Sequence, residues 1–166
     1  GFGTPPDAEE AHKWFLAAGE SGSADAQFNL GIMYQDGVGV APDIQASVRW
    51  FVRAAQNGIR EAQARVGIAF ASGNGVERDY VRAREWFTLA AEQGDVPAQS
   101  FLARLYLEGL GMEEQDLVSA YMWYKIANTN GDVEAAKVIA TLRGYMEPDE
   151  ISAAEQRVVA WTSARR

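Results

Sequence analysis

Apolar and polar positions along the chain follow a helical period rather than the two-residue alternation of a strand. Between Ala24 and Asp36, residues Ala26, Leu30, Gly31 and Tyr34 fall on one side of a 3.6-residue turn, which predicts an amphipathic helix. Gly37-Val38-Gly39 interrupts it, because glycine reaches positive φ without the Cβ penalty. Pro42 and Asp43 then provide a helix start, and a second helix carries Ser47, Trp50, Ala54 and Ala55 inward until Gly58 stops it. Two short helices cannot bury such a face alone, so the hairpin has to stack on others like it.

The rest of the chain supplies those copies. Trp14, Trp50 and Trp86 stand 36 residues apart, and Trp123 follows after 37. The same offsets relate Gly22, Gly58, Gly94 and Gly131, and also Ala18, Ala54, Ala90 and Ala127. Gln27, Gln63 and Gln99 share one slot, Tyr34, Phe70 and Tyr106 another, and the glycine pairs 37/39, 73/75 and 109/111 a third. The extra residue of the last period is assigned to the loop Met112-Glu113-Glu114-Gln115-Asp116. Gly1 and Gly3 precede Gly37 and Gly39 by 36, so the chain is expected to begin inside the loop of a truncated repeat. The predicted organisation is one array: a truncated repeat over 1–22, full repeats over 24–58, 60–94 and 96–131, and a tail over 133–166. One tryptophan per unit, always in the same phase, is expected to be a core wedge beside the alanine pair. In the tail, Ala135 and Ala136 open another first helix. The Gly-x-Gly loop then gives way to Arg143-Gly144-Tyr145-Met146-Glu147-Pro148. A helix from Pro148 past Trp161 is expected to cap the open end of the core.

The run Ala62-Gln63…Gly67…Phe70…Gly73-Asn74-Gly75-Val76…Asp79…Ala83…Trp86…Ala90-Ala91…Gly94 resembles the Sel1-like repeat, a relative of the tetratricopeptide repeat. Ala103 in place of the helical glycine, Asn128 in place of the second alanine, and Ser47 where alanine is usual are its departures. The resemblance implies an all-α fold: a right-handed α-solenoid of stacked helical hairpins with a C-terminal capping helix, serving as an interaction platform. The ending also resembles the repeat region of alphaproteobacterial polar-localisation factors of the PodJ type. Extracytoplasmic members of the family tilt the expected location towards the periplasm and leave the cytoplasm open.

Composition narrows the chemistry. The net charge of −8 and pI of about 4.7 argue against nucleic acid, whose phosphates call for a basic stripe. No apolar run approaches the length of a membrane span. Without cysteine there are no thiolate sites, and the one histidine, His12, is expected on the solvated side of its helix with neither partner nor pocket. The Gly-x-Gly loops follow no strand and recur in phase, so they read as helix stops rather than phosphate cradles. Neither an acid–base pair nor a metal or cofactor site is predicted, and the chain is expected not to be an enzyme.

Binding is therefore sought where the copies differ. On the first helices, the side opposite the recurrent positions holds Phe28, Ile32 and Asp36, then Ala64, Ile68 and Ser72, then Ser100, Arg104 and Glu108. Asn29, Arg65 and Phe101 flank them. In helical-hairpin solenoids this side lines a concave groove. From these positions, Phe28, Asn29, Ile32, Asp36, Arg65, Ile68, Phe101, Arg104 and Glu108 form the candidate contact surface for a partner protein or peptide. Two other readings stand beside it. The apolar members could pack only between neighbouring first helices, or the chain could be an extracytoplasmic module for cell-wall glycan or peptide.

Overall fold

The computed structural model describes residues 7–165, in which every regular element is an α-helix. The loop glycines Gly1 and Gly3 lie outside the described residues. Two compact units divide the chain, one ending at Asp79 and one beginning at Tyr80. The first holds α1 (Ala8–Glu20), α2 (Ala24–Asp36), α3 (Ile44–Gln56) and α4 (Arg60–Ser72). The second holds α5 (Tyr80–Glu92), α6 (Val96–Glu108), α7 (Leu117–Thr129), α8 (Ala135–Leu142) and α9 (Pro148–Ser163).

Helix ends are set by the recurrent residues. Asp43, Asp95 and Asp116 accept the N–H groups of Ala46, Ala98 and Ser119 at 2.8–2.9 Å, satisfying donors the first turn leaves free. The N–H of Asp43, Asp79 and Asp116 reaches back to the carbonyl of Tyr34, Phe70 and Tyr106, closing each inter-helix loop onto the preceding helix. Gly37, Gly73 and Gly109 end α2, α4 and α6 in the left-handed conformation.

The second glycine of each loop has a different task. A Cβ on Gly75 would lie 2.9 Å from the Ile44 carbonyl oxygen and 3.1 Å from the Val48 side chain, at the start of α3. One on Gly111 would lie 2.7 Å from the Tyr80 carbonyl carbon at the start of α5, and Gly39 meets the Ala8 carbonyl at the start of α1 in the same way. Each loop thus docks backbone to backbone on the second helix of the preceding repeat. Within the hairpins, Leu30, Ala54, Ala62 and Val66 are fully buried in the first unit, and Ala90, Ala98, Leu102 and Ala127 in the second. Ser47, where the family favours alanine, is fully buried and donates its hydroxyl to the Gly31 carbonyl at 2.7 Å, so α3 is pinned to α2.

The recurrent glutamines are buried as well. Gln27 donates to the Gly19 carbonyl on α1 at 3.0 Å and accepts from the Asn57 amide beyond α3 at 2.9 Å. Gln99 donates to the Ala91 carbonyl on α5 at 3.1 Å and accepts from Asn130 beyond α7 at 3.0 Å. Gln63 donates to the Ala55 carbonyl at 3.2 Å.

Two expectations need correction. Trp50 and Trp123 are wedges, 9% and 6% exposed, and Trp86 is half-buried, but Trp14 is 71% exposed. Trp50 lies beside the last turn of α1, whereas the described residues supply no first helix to cover Trp14. His12 is not on a solvated side. It is half-buried and edge-on to Tyr34 at 5.3 Å between ring centroids. Its Nε2 is shielded, with no partner among the described residues. One repeat on, the same position is the buried Val48, which marks it as inward.

In the second unit, α9 covers the α7 wedge, with Trp161 edge-on to Trp123 at 5.9 Å. A polar knot holds it there. The buried Tyr121 hydroxyl donates to Glu155 at 2.8 Å and accepts from Arg143 Nε at 2.9 Å. Lys125 and Arg143 ion-pair with the same carboxylate at 3.2 and 3.3 Å. Partial burial would raise the Glu155 carboxyl, but the bonds from Tyr121, Lys125 and Arg143 outweigh it and hold the group below the usual carboxylate value. Burial likewise pushes the Tyr121 phenol up.

Four substitutions test this packing, each measured by denaturant or thermal unfolding. Gly58 has φ +87° and open space around it, so Gly58→Ala is expected to cost about 1 kcal/mol from backbone strain alone. Gly75→Ala adds the clash at α3 and is expected to cost about 1–3 kcal/mol more; equal losses would show that the loop does not dock. Gln99→Leu removes the hydrogen bonds to the Ala91 carbonyl and from the Asn130 amide, at a cost of about 1–3 kcal/mol for the two. Because the Glu155 pKa is depressed on folding, its contribution is fully present above the ordinary value of 4.5 and fades as pH falls through the folded value. Glu155→Gln should therefore lower the melting temperature at neutral pH, with the gap to wild type closing in acid; a pH-independent gap would contradict this.

Candidate functional site

In the first unit, an open cleft of about 440 Å³ runs along α4 beside α2 and α3. Its floor is Val48 and Phe51, its walls are Ile44 and Ile68, and Gln35, Arg65, Ser72 and Asn74 stand at the rim. Val48 and Phe51 are buried, while Ile68 keeps 44% of its surface exposed, so the walls offer apolar area to a ligand. Arg65 is half-buried. Its guanidinium lies 5.2 Å from the Phe51 ring centroid and 5.8 Å from that of Phe28, within cation–π range. One of its N–H groups donates to the Gln35 side-chain oxygen at 3.1 Å, and no carboxylate among the described residues pairs with it.

The second unit carries a shallower apolar patch on α6, built from Val96, Pro97, Phe101 and Tyr124. Phe101 is stacked on Phe87, with ring centroids 5.2 Å apart and planes 13° from parallel. Arg104 pairs with Glu108 here at 3.4 Å, and Asp132 accepts the Ser100 hydroxyl together with the N–H groups of Glu134 and Ala135 at the start of α8. Burial raises the Tyr124 phenol, and the nearby Arg104 partly opposes that shift.

The nine candidate residues therefore divide between the units. Arg65 and Ile68 border the first cleft, and Phe28 lies under the Arg65 guanidinium, tilted against Phe51 at 5.6 Å. Asn29, Ile32 and Asp36 fall outside the cleft. The Asn29 amide donates to the Asp25 carbonyl of its own helix, and Asp36 accepts from Gln35. Phe101 and Arg104 border the second patch, with Glu108 reaching it through Arg104. The first-helix pattern omits Ile44, Val48 and Phe51 because they lie on α3, a second helix that divergence among first-helix positions does not sample. The available sequence signal is an isoleucine at the helix start, outside the inward set Ser47, Trp50, Ala54 and Ala55.

No set of three or more His, Cys, Asp or Glu side chains among the described residues is grouped to hold a metal ion. No helix among them is long and apolar enough to cross a membrane.

The Sel1 repeat pattern matches residues 1–23, 24–59, 60–95 and 96–132. No curated protein matches the chain. Among solved structures, it is similar to c5321, a protective antigen present in uropathogenic Escherichia coli strains displaying an SLR fold. Identity is 36% over 99% of this chain, with a TM-score of 0.79. It is also similar to a Sel1 repeat protein from Oxalobacter formigenes, with 34% identity over 94% of this chain and a TM-score of 0.68. The chain spans 35% of the first protein's length and 63% of the second's. With four matched repeats, and the loop glycines, buried glutamines and alanine pairs in helical hairpins, the chain belongs to the Sel1 repeat family.

Proposed function

We propose that this chain is a non-catalytic platform that binds a partner protein, or a peptide segment of one, through the exposed sides of its first helices. Members of the Sel1 family typically serve as protein–protein interaction scaffolds. The observation that carries the finer reading is the cleft along α4, where apolar walls stay open between two helices whose remaining apolar faces are buried. Binding there relies on shape and on burial of a few side chains, without turnover. The chemistry of the chain supports the same view. Its one histidine packs on Tyr34, and the perturbed Tyr121 and Glu155 are occupied in holding α9. Neither His12 nor the Tyr121–Glu155 pair lines the cleft along α4.

Selection of a displayed random-peptide library on the purified chain tests the reading. Enriched peptides are expected to lose about fivefold to thirtyfold in affinity for Ile68→Ala, the equivalent of burying the part of the side chain that stays exposed in the free protein. Helical circular dichroism should be unchanged, since Ile68 is exposed. If Ile68→Ala and Phe28→Ala both retain wild-type affinity, the contact is not at this face.

A further inference from the structure

We infer that the cleft along α4 selects an extended partner segment in which an aliphatic side chain and a glutamate stand two residues apart. This rests on the platform reading of the same cleft and adds the chemistry of its occupant. The argument starts from Arg65. A guanidinium carries five N–H donors, and one of them is used by Gln35. The Phe28 and Phe51 rings hold its position, so little rotamer freedom remains to be lost when an anion arrives. A cation so placed beside apolar walls is complementary to a carboxylate on a partner that also has an aliphatic group to bury.

Spacing sets the register. Ile68 follows Arg65 by one turn of α4, about 5 Å along the axis. In an extended segment, side chains two residues apart share a face at about 6–7 Å. An aliphatic side chain between Ile44 and Ile68 therefore brings a residue two positions away to the guanidinium. Further along the cleft, the exposed Asn74 stands at the rim where the segment's backbone would pass, and its side-chain amide bonds to none of the described residues.

The chain's overall charge of −8 works against acidic partners at long range, but that repulsion is screened beyond about 8–10 Å at physiological salt. Contact at Arg65 is local. One carboxylate at this position is thus favoured over an acidic run.

NMR titration with three synthetic peptides in a Gly/Ser frame, carrying Leu-x-Glu, Leu-x-Gln or Ala-x-Glu, tests the inference. The Leu-x-Glu peptide is expected to shift the Ile68 and Arg65 signals and to bind about tenfold more tightly than Leu-x-Gln. Arg65→Gln should abolish the preference for Glu over Gln while keeping that for Leu over Ala, and Arg65→Lys should keep part of the charge preference. Equal binding of the Glu and Gln peptides to the wild-type chain overturns the inference and leaves the platform reading standing. Absence of binding by all three, with no shift at Ile68, overturns both.

Discussion

One buried amide per repeat sets the register on which this structure depends. Gln99 is fully enclosed, and a side-chain amide in that position must find partners or lose the hydrogen bonds it had in water. It finds them at the ends of two other helices, donating to a last-turn carbonyl of α5 and accepting from Asn130 beyond α7. Those are the places where a helix leaves polar backbone unsatisfied. A single side chain on α6 therefore ties three successive helices at one height, and Gln27 does the same for α1, α2 and α3. Faces lined with alanine and leucine pack closely but slide easily. A hydrogen bond that forms in only one alignment removes that freedom.

Close approach is the second constraint, and the glycines express it in two ways. Gly31 faces the Phe51 ring, where a Cβ would come within 2.5 Å of the aromatic carbons. Gly75 and Gly111 place their backbones against the first turns of α3 and α5. Loops that look like free connectors are thus part of the packing between consecutive repeats. With loops docked and glutamines bonded, little surface is left that can vary without disturbing the stack. The outward sides of the helices remain, and the copies diverge there.

Much of this was legible in the sequence. The period, the hairpin, the glycine stops and the helix from Pro148 all rest on local chemistry repeated several times, and repetition averages away the ambiguity of a single window. Identity at a position nevertheless does not reveal its environment. Trp14 shares the phase of Trp50 and Trp123 yet is exposed, because burial belongs to the neighbour that covers a residue and not to the residue itself. His12 was misplaced for the opposite reason: it was judged as a histidine, whereas its register with Val48 marks it as inward. The recurring glutamine was visible as a pattern, but its task was not, since its partners come from helices eight residues back and about thirty ahead. The cleft was half legible. Arg65 and Ile68 follow from divergence between copies of the first helix, while Ile44 and Phe51 lie on a second helix, which that divergence does not sample.

Divergence between equivalent positions also explains why the two apolar surfaces differ electrostatically. The residue at the flank of the first-helix face is Asn29 in one copy, Arg65 in the next and Phe101 in the third. At the end of the same face stand Asp36, Ser72 and Glu108. In α6 the arginine has moved to position 104, one turn before Glu108, and the two neutralise each other at the surface. Such an exposed pair contributes little and leaves no net charge to offer a ligand. In α4 the acid is replaced by Ser72, whose hydroxyl turns back to the Ile68 carbonyl, and Arg65 is left with an amide and two aromatic rings. The helical hairpin is the same in both units; changes at three equivalent positions, 65/101, 68/104 and 72/108, separate a patch whose arginine is paired from one that retains an unmatched cation beside apolar walls.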